Sequence, residues 1–489
     1  MKTGEKSGVK RGFDSQVSYK EESTSWNFWD RLGKPGVFMA LAMVFSFVVL
    51  VRTGHIELAG DLWFPEELGY LLWLLGSLGS FSLLIFLWRA YLVLTYRPVA
   101  CCSKRDLPKV TVVVPAYNEG RLVMETLFSV AASYYPRHKL QIIAVDDGSK
   151  DDTWRWMQEA AARLKNRVEL VRLPANKGKR RALYEGFQRA TGQVLVTIDS
   201  DSIIERHTLR QLVAPFAHDG RCGGVAGNVR VLNRKEGLIP RMLEVTFTYS
   251  FDFMRASQSR VNAVFCTPGA LSAYRRDLVM NVLDQWLGQR FLGEPAGIGE
   301  DRAMTNMILK QGYHVLFQRD AVVYTKVPTA YKGLCKMYLR WARSNIRENL
   351  AMAAYAFRRF RSTPALGARI TLVQALVDMT FGEIAKVLGM VVLLGNLDIL
   401  LPGFVVALCC SALVPAGFYW LRHKDSDLLW AFTYAPFNAL ALSWISLYAL
   451  CTVKRSGWLT RELPAQSAPV SAAQALAQAM AGTKAKVAP

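Results

Sequence analysis

Long apolar segments at both ends of the chain constrain this sequence more than any other feature. Residues 36–51 contain almost no polar side chain, and residues 68–95 are interrupted by one charge only, Arg89. A membrane-spanning helix needs about 20 apolar residues to cross about 30 Å of hydrocarbon, so the second run is long enough and the first is slightly short. Residues 366–395, 401–421 and 428–453 are apolar again. The sequence therefore predicts an integral membrane protein with four to six spans.

The distribution of charge predicts the orientation of the chain. The 489 residues have a net charge of +21, and 51% of them are hydrophobic. Residues 1–35 contain seven Lys and Arg, whereas the link 53–67 contains none and has four acidic residues. Because cytoplasmic flanks are rich in Lys and Arg, the N-terminus and the region after the second run should be cytoplasmic. Nucleic-acid binding is the alternative explanation of the charge, but no nucleic-acid partner is expected because the sequence lacks a binding motif.

Alternation of apolar and polar segments divides the chain into consecutive regions. They are a cytoplasmic N-terminal arm (1–35), two transmembrane helices (36–97), a soluble α/β domain (107–330), interfacial helices (331–365), transmembrane or pore helices (366–453), a short basic segment (454–462) and a disordered Ala-rich tail (463–489). Three late spans would put the C-terminus outside, whereas Lys454, Arg455 and Arg461 favour the inside. Residues 366–387 are therefore expected either to lie along the interface as an amphipathic helix or to line a polar pore.

Strand-like apolar runs alternate with helical patterns in the soluble domain. The strand-like runs are residues 110–114, 140–145, 168–173 and 194–198, and the helical stretches between them are 120–133, 152–164 and 179–190. Near-continuous apolar strands that alternate with helices predict a buried parallel sheet. Ligands of such sheets bind at the carboxyl ends of the strands, and the polar motifs of this domain fall at those ends.

Three polar motifs follow these strands directly. DSD (199–201) offers two carboxylates that can share Mg²⁺ or Mn²⁺ and bridge it to a diphosphate, with a helix N-cap as the alternative. DDGS (146–149) combines carboxylates suited to a base or ribose with a glycine for a tight turn, and it fits an ordinary strand-to-helix turn equally well. KGKRR (177–181) opens a helix, where cations and free N–H groups suit phosphate, with a solvated basic face as the alternative.

Later motifs add further candidates. GEDR (299–302) precedes a helical run, so its carboxylates are either caps or a general base. In residues 266–275 a Pro-Gly turn leads into a strand, and the cysteine that opens this stretch has no nearby His to make it a catalytic thiol. Arg340, Arg343 and Arg347 fall on one helical face, where binding of lipid headgroups is the alternative to a catalytic role.

The ordered set of motifs is more specific than any single one. PAYNE, DDGS, NKGKR, DSD, GALSAYR, GEDR and RWARS follow one another along the chain. This set resembles the membrane-embedded family 2 glycosyltransferases, and within them the hyaluronan synthases and rhizobial chitin-oligosaccharide synthases. RWARSNIRE and the late WLTR are similar to the RW(x)₂S and WGTR segments of those enzymes. The resemblance covers most of the chain, from the second apolar run to residue 462.

The resemblance implies a GT-A (Rossmann-like) α/β domain, a UDP-sugar donor, Mg²⁺ or Mn²⁺ and an inverting reaction. UDP-N-acetylglucosamine and UDP-glucuronate are the candidate donors, and the growing polysaccharide and membrane lipid are the other expected partners. The nucleotide-binding residues would be Tyr117, Glu119, Asp146, Asp147, Lys177, Lys179 and Asp199, and the metal ligands Asp199 and Asp201. The catalytic residues would be Asp301 as the base, Arg340 at the leaving diphosphate and Trp341 under the acceptor sugar. The remaining candidates are Cys266, Gly269, Tyr274, Arg275, Glu300, Arg302, Arg343, Trp458 and Arg461.

The sequence departs from these relatives at several positions. Met337 stands where they often have Gln, Glu300 where hyaluronan synthases have Asp, and GAL and WLTR where they have GPL and WGTR. The departures weaken hyaluronan as the product and leave a processive polysaccharide synthase as the interpretation. A non-processive enzyme acting on a lipid acceptor is the alternative within the class. A transporter or scaffold with an inactive transferase domain would have lost an acidic motif, and none is lost.

Overall fold

An eight-stranded sheet forms the centre of the soluble domain in the computed structural model, which describes residues 33–52 and 68–455. In chain order its strands are β1 (Val110–Ala116), β2 (Leu140–Asp146), β3 (Val168–Arg172), β4 (Val194–Thr197), β5 (Ser202–Ile204), β6 (Cys222–Val231), β7 (Ser272–Arg275) and β10 (His314–Thr325), while β8 (Arg290–Phe291) and β9 (Glu294–Pro295) form a separate hairpin. The strand order is β3-β2-β1-β4-β7-β6-β10-β5.

The first half of the sheet matches the sequence-based prediction. Strands β3, β2, β1 and β4 are parallel neighbours, and every residue of β1 is buried. Val112 and Val114 pack into one apolar cluster while Val113 packs into another, because successive side chains of a strand point to opposite faces. The sheet is therefore covered on both sides, and its carboxyl edge is the part left for ligands.

The second half of the sheet corrects the prediction of a purely parallel sheet. Strand β7 is antiparallel to both β4 and β6, and β5 is antiparallel to β10. β7 lies in the stretch that follows the predicted Pro-Gly turn, and its position between β4 and β6 brings residues 266–271 beside the carboxyl end of β4. An antiparallel strand in the middle of the sheet thus supplies a second wall for the site.

Helices flank the sheet and continue into the apolar regions. Those up to residue 310 are α1 (Lys34–Arg52), α2 (Leu68–Thr95), α3 (Leu122–Ala131), α4 (Thr153–Arg163), α5 (Lys179–Arg189), α6 (Thr208–His218), α7 (Leu238–Phe247), α8 (Met254–Arg260), α9 (Arg276–Leu287) and α10 (Glu300–Lys310). The later ones are α11 (Tyr331–Ala356), α12 (Leu366–Met379), α13 (Phe381–Gly395), α14 (Leu397–His423), α15 (Trp430–Phe437) and α16 (Trp444–Cys451). A π-helical turn, Thr248–Phe253, joins α7 to α8.

Three helices within the described residues are long and apolar enough to cross a membrane: Gly76–Thr95, Leu400–His423 and Ser426–Cys451. The run 366–395 is broken at Thr380 into helices of 14 and 15 residues. At 1.5 Å per residue these reach only about 21 and 23 Å, so neither crosses a bilayer alone. Residues 1–32, 53–67 and 456–489, which include the N-terminal arm, the acidic link, WLTR and the tail, lie outside the described residues.

The apolar helices contact the soluble domain directly. Arg89, the single charge of α2, is buried, and its guanidinium lies 3.2 Å from the sulfur of Met254 on α8. Tyr96 follows α2 and donates a hydrogen bond of 2.7 Å from its hydroxyl to the carbonyl of Phe317 on β10. Further along, Arg343 of α11 donates to the Thr452 hydroxyl just after α16. Contacts at both ends of the chain therefore fix the helices against the domain.

Candidate active site

A cavity of about 570 Å³ opens at the carboxyl edge of the sheet and extends to α11 and the π-helical turn. Thirteen of the residues predicted from the sequence line it: Tyr117, Glu119, Asp147, Lys179, Asp199, Asp201, Cys266, Gly269, Glu300, Asp301, Arg302, Arg340 and Trp341. They come from positions spread over more than 200 residues of sequence. The fold thus brings the DDGS, NKGKR, DSD, GALS, GEDR and RW motifs to one cavity.

Asp147 shapes one part of this cavity by holding a loop. One carboxylate oxygen accepts a hydrogen bond of 2.9 Å from the N–H of Lys177, and the other accepts one of 2.8 Å from the N–H of Gly178. Gly148, with φ +70°, lets this turn approach the loop closely, since a Cβ there would lie 2.5 Å from the backbone of Ala175. The DDGS turn and the NKGKR loop therefore form one unit.

Asp199 and Asp201 follow β4 and place two carboxylates in the lining of the cavity. The Asp201 carboxylate accepts hydrogen bonds from Ser202 (3.2 Å) and Thr325 (3.3 Å). Burial, followed by the charges of Asp199 and Glu119, raises the pKa of Asp201 to about 7. Hard oxygen ligands that repel one another fit a divalent cation such as Mg²⁺ or Mn²⁺. Among the described residues no group of three His, Cys, Asp or Glu is placed to hold a metal, so a cation bound by these two carboxylates would take its remaining ligands from water or from a bound molecule.

Lys179, the first residue of α5, joins the two acidic motifs. Its ammonium lies 2.5 Å from a carboxylate oxygen of Asp199 and 2.8 Å from one of Glu300. Burial lowers the pKa of Lys179, but Asp199, Glu300 and Asp301 outweigh it and raise the pKa well above its ordinary value. For Glu300 burial alone would raise the pKa, but the charge of Lys179 outweighs burial and lowers the pKa of Glu300 to about 2. Both groups therefore stay charged, and Lys179 and Glu300 form a buried ion pair.

Asp301 is held by backbone donors at the start of α10. Its two carboxylate oxygens accept hydrogen bonds from the N–H of Gly269 (3.0 Å) and of Arg302 (2.7 Å). Burial, and then the charge of Glu300, raises its pKa. A fixed carboxylate of raised pKa in a cavity is suited to take a proton from a bound hydroxyl. The Cys266 thiol lies 3.9 Å away, and burial followed by the charge of Asp301 raises its pKa to about 12, so it stays protonated.

Aromatic rings surround Trp341 on the far wall of the cavity. Its ring centroid lies 5.9 Å from that of Phe247, 6.3 Å from that of Phe251 and 5.7 Å from that of Tyr338. Phe247 and Phe251 also line the cavity and were not predicted from the sequence. Their spacing of four residues in an aromatic helical stretch was the available signal. The rings of Phe251 and Tyr338 stand at 74° and 75° to that of Trp341, and the ring of Phe247 is tilted by 38°, so these neighbours hold the indole in place as an angled aromatic cluster.

Five predicted residues lie away from the cavity lining. Asp146 is fully buried: one carboxylate oxygen accepts a hydrogen bond of 3.0 Å from the N–H of Ser149, and the other lies 3.3 Å from Nε of Arg172. The Lys177 side chain is exposed, and Tyr274 is buried with its hydroxyl 2.6 Å from that of Thr267.

The other two, Arg275 and Arg343, bind protein atoms. Arg275 donates to the carbonyl of Gly220, and Arg343 donates to Thr452. Arg343 and Arg347 are almost fully buried, so neither is placed to bind lipid headgroups. Trp458 and Arg461 lie outside the described residues.

The sequence comparisons identify the family. The family description "Glycosyltransferase like family 2" matches residues 108–344. An N-acetylglucosaminyltransferase of Rhizobium meliloti is 30% identical over 414 residues, which cover 81% of this chain and 93% of the relative. The chain belongs to glycosyltransferase family 2. A hyaluronan synthase of Streptococcus pyogenes is 31% identical over 367 residues, covering 72% and 83% of the two chains.

The fold is that of the GT-A glycosyltransferases. The mannosyltransferase PcManGT from Pyrobaculum calidifontis, solved with GDP-Man and Mn²⁺, superimposes with a TM-score of 0.55 at 23% identity, covering 76% of this chain and 98% of that one. The predicted fold class, enzyme class and family are thereby confirmed. This family 2 enzyme combines the GT-A domain with helices that are apolar enough to span a membrane.

The close fit of Gly269 gives a first testable prediction. A Cβ at this position would lie 2.5 Å from the Lys179 ammonium and 3.5 Å from carboxylate oxygens of Asp199 and Glu300. Gly269→Ala should therefore displace Lys179 and lower UDP release at saturating donor by about 10²-fold, the cost of a misplacement near 1 Å in an active site. Gly220→Ala is the matched control, because a Cβ there meets nothing within 4 Å. Equal turnover of both variants would show that the loop at Gly269 can shift to accommodate a Cβ without displacing Lys179.

Proposed function

We propose that this family 2 glycosyltransferase polymerises sugars from UDP-sugar donors into a β-linked polysaccharide and passes the product through the membrane. The observation that carries the proposal is the continuity of one cavity, which runs from Asp147 and the DSD carboxylates past Asp301 to Trp341 and its aromatic neighbours. The residues proposed for the donor, the base and the acceptor sugar therefore share one cavity, which supports a transfer between two bound sugars. Relatives named N-acetylglucosaminyltransferase and hyaluronan synthase support UDP-N-acetylglucosamine as a donor.

The proposed reaction is a direct displacement with inversion. The acceptor hydroxyl oxygen bonds to the anomeric carbon of the donor while the bond from that carbon to the diphosphate breaks. Asp301 takes the hydroxyl proton, and Arg340 and Lys179 stabilise the negative charge that builds on UDP. Asp199 and Asp201 would hold Mg²⁺ or Mn²⁺, which when bound neutralises charge on the diphosphate. Trp341 would support the terminal acceptor sugar.

The proposed location is the bacterial inner membrane, with the catalytic domain in the cytoplasm where UDP-sugars are made available. Three helices long and apolar enough to span a bilayer, together with the basic flank of the first apolar run, support this orientation. The cavity wall formed by α11 contacts α16, so the acceptor platform is adjacent to a candidate span. A product leaving Trp341 would therefore meet the helices directly.

A donor panel tests the proposal. Membranes containing the full chain would be supplied with UDP-N-acetylglucosamine, UDP-glucuronate, UDP-glucose and GDP-mannuronate, singly and in pairs, with Asp301→Asn as the blank. We expect UDP release and a high-mass product from UDP-N-acetylglucosamine, alone or paired with UDP-glucuronate. A small, solvent-extractable product would favour the non-processive lipid-acceptor alternative. No release from any UDP-sugar would contradict the proposed donor class.

A further inference from the structure

The π-helical turn Thr248–Phe253 connects the apolar helices to the acceptor wall, the part of the cavity formed by Trp341 and the aromatic rings packed around it. Turns of this type are rare and frequently lie at functional sites. Ser250 and Phe251 line the cavity, and the Phe251 ring packs edge-on against Trp341. Phe253, two residues later, packs against Phe418 of α14, with ring centroids 5.3 Å apart. One short segment thus touches both the proposed acceptor platform and a candidate membrane span.

Asp252 anchors this turn from the side away from the cavity. It is only 2% exposed and does not line the cavity. One carboxylate oxygen lies 2.7 Å from Nε of Arg319 on β10, and the other lies 3.2 Å from Nε of Arg422 in the last turn of α14. A single buried carboxylate therefore bridges the central sheet and a candidate membrane span. Burying a carboxylate is costly unless it is paired, and here two guanidinium groups face the single charge of Asp252, the second of them partly exposed to solvent.

The bridge extends to the first group of apolar helices. The Arg319 guanidinium lies over the ring of Tyr96 at 4.7 Å, and Tyr96 directly follows α2. Phe253 also stacks near Phe86 of α2, with ring centroids 6.1 Å apart. Helices from both ends of the chain consequently meet the π-helical turn at Asp252 and Phe253. A shift of these helices relative to the sheet would move Phe251 and, through it, the wall around Trp341.

We propose that Asp252 is a positioning residue that keeps the acceptor wall aligned with the membrane helices, so that the growing chain stays bound between successive transfers. This inference rests on the proposed polymerising function. Chain length in a processive enzyme is set by the ratio of the transfer rate to the rate of chain release. Asp252 contacts Arg319 and Arg422 and neither the DSD carboxylates nor Asp301, so its loss should leave the transfer step intact. The expected effect is instead a faster release of the chain, because the acceptor wall would no longer be held in line with the helices.

The test compares product length with turnover in the full-length protein reconstituted in lipid nanodiscs. Asp252→Asn removes the charge that both arginines share, and Arg422→Gln removes only the membrane-side partner, which is more exposed and less demanding for folding. With UDP-N-acetylglucosamine, alone and with UDP-glucuronate, we expect UDP release within about twofold of wild type. Mean product length should fall by about 2- to 30-fold in both variants, the size of effect seen for residues along a coupled network.

Asp284→Asn is the matched control, because Asp284 is an exposed carboxylate of the same domain that accepts a hydrogen bond of 3.0 Å from the Tyr184 hydroxyl. It should change neither readout. Normal product length in Arg422→Gln with normal turnover would overturn the inference. A parallel fall of turnover and length in both variants would also overturn it, since that is the signature of a merely structural role. If the wild type makes no product longer than a single transfer, the proposed function itself fails, and the inference fails with it.

Discussion

Asp301→Asn should reduce UDP release by about 10²- to 10⁴-fold, the usual contribution of a general base. The amide has nearly the shape of the carboxylate but cannot take the proton of the acceptor hydroxyl. One side-chain oxygen can still accept from Gly269 or Arg302, so the start of α10 should remain in place. The measurement is initial UDP release from membranes matched for protein amount, at saturating donor and divalent cation.

The control for this prediction is UDP binding by the variant. Asp301 accepts hydrogen bonds from Gly269 and Arg302, whereas Asp147 holds the separate loop at Lys177 and Gly178, so the affinity for UDP should change little. Asp277→Asn, at an exposed carboxylate in the first turn of α9, should retain wild-type turnover. Wild-type turnover by Asp301→Asn would show that another group takes the proton. Loss of UDP binding would instead show that the substitution disturbs the cavity as a whole.

The parallel part of the fold could be predicted because its signals are local. The apolar runs that became β1 to β4 are short, continuous and bounded by turn residues, and each ends in the motif that the structure places at the cavity. The antiparallel insertion of β7 could not be predicted in this way. Its four residues pair with strands that are distant in sequence. Their own hydrophobic pattern does not distinguish parallel from antiparallel pairing. The break at Thr380, where φ −111° and ψ −80° leave helical geometry, was likewise not predicted from the run 366–395.

The candidate site shows the same limit at the level of single residues. Adjacent residues of an extended chain point in opposite directions, so of the pair in DDGS only Asp147 lines the cavity while Asp146 is buried behind it. The KGKRR motif is divided similarly: Lys177 is exposed, Lys179 enters the cavity, and Arg180 is buried with its guanidinium over the ring of Trp286. The sequence therefore identifies each motif, but the backbone conformation determines which of its side chains faces the cavity.

The pairing of Lys179 with Glu300 leads to the second large expected effect. Lys179→Met should lower UDP release by about 10²- to 10³-fold, comparable to the loss of one preorganised electrostatic group. It should also reduce the free energy of unfolding by about 3–5 kcal/mol, because Glu300 would be left as an uncompensated buried charge beside Asp199 and Asp301. UDP release and thermal unfolding of the purified protein in detergent measure the two effects separately. Lys310→Met, at the exposed far end of α10, is the matched lysine control.

A double variant separates the two consequences of this pair. Replacing both partners, as Lys179→Met with Glu300→Gln, removes the unpaired carboxylate, so most of the lost stability should return. Activity should not return, because the Lys179 ammonium would still be missing from its place beside Asp199, where charge builds on the leaving diphosphate. Recovery of stability without recovery of turnover would show that the stability depends on the Lys179–Glu300 ion pair. It would also show that turnover depends on the Lys179 ammonium itself. Additive losses of stability in the double variant would contradict the pairing, since independent sites add and paired sites do not.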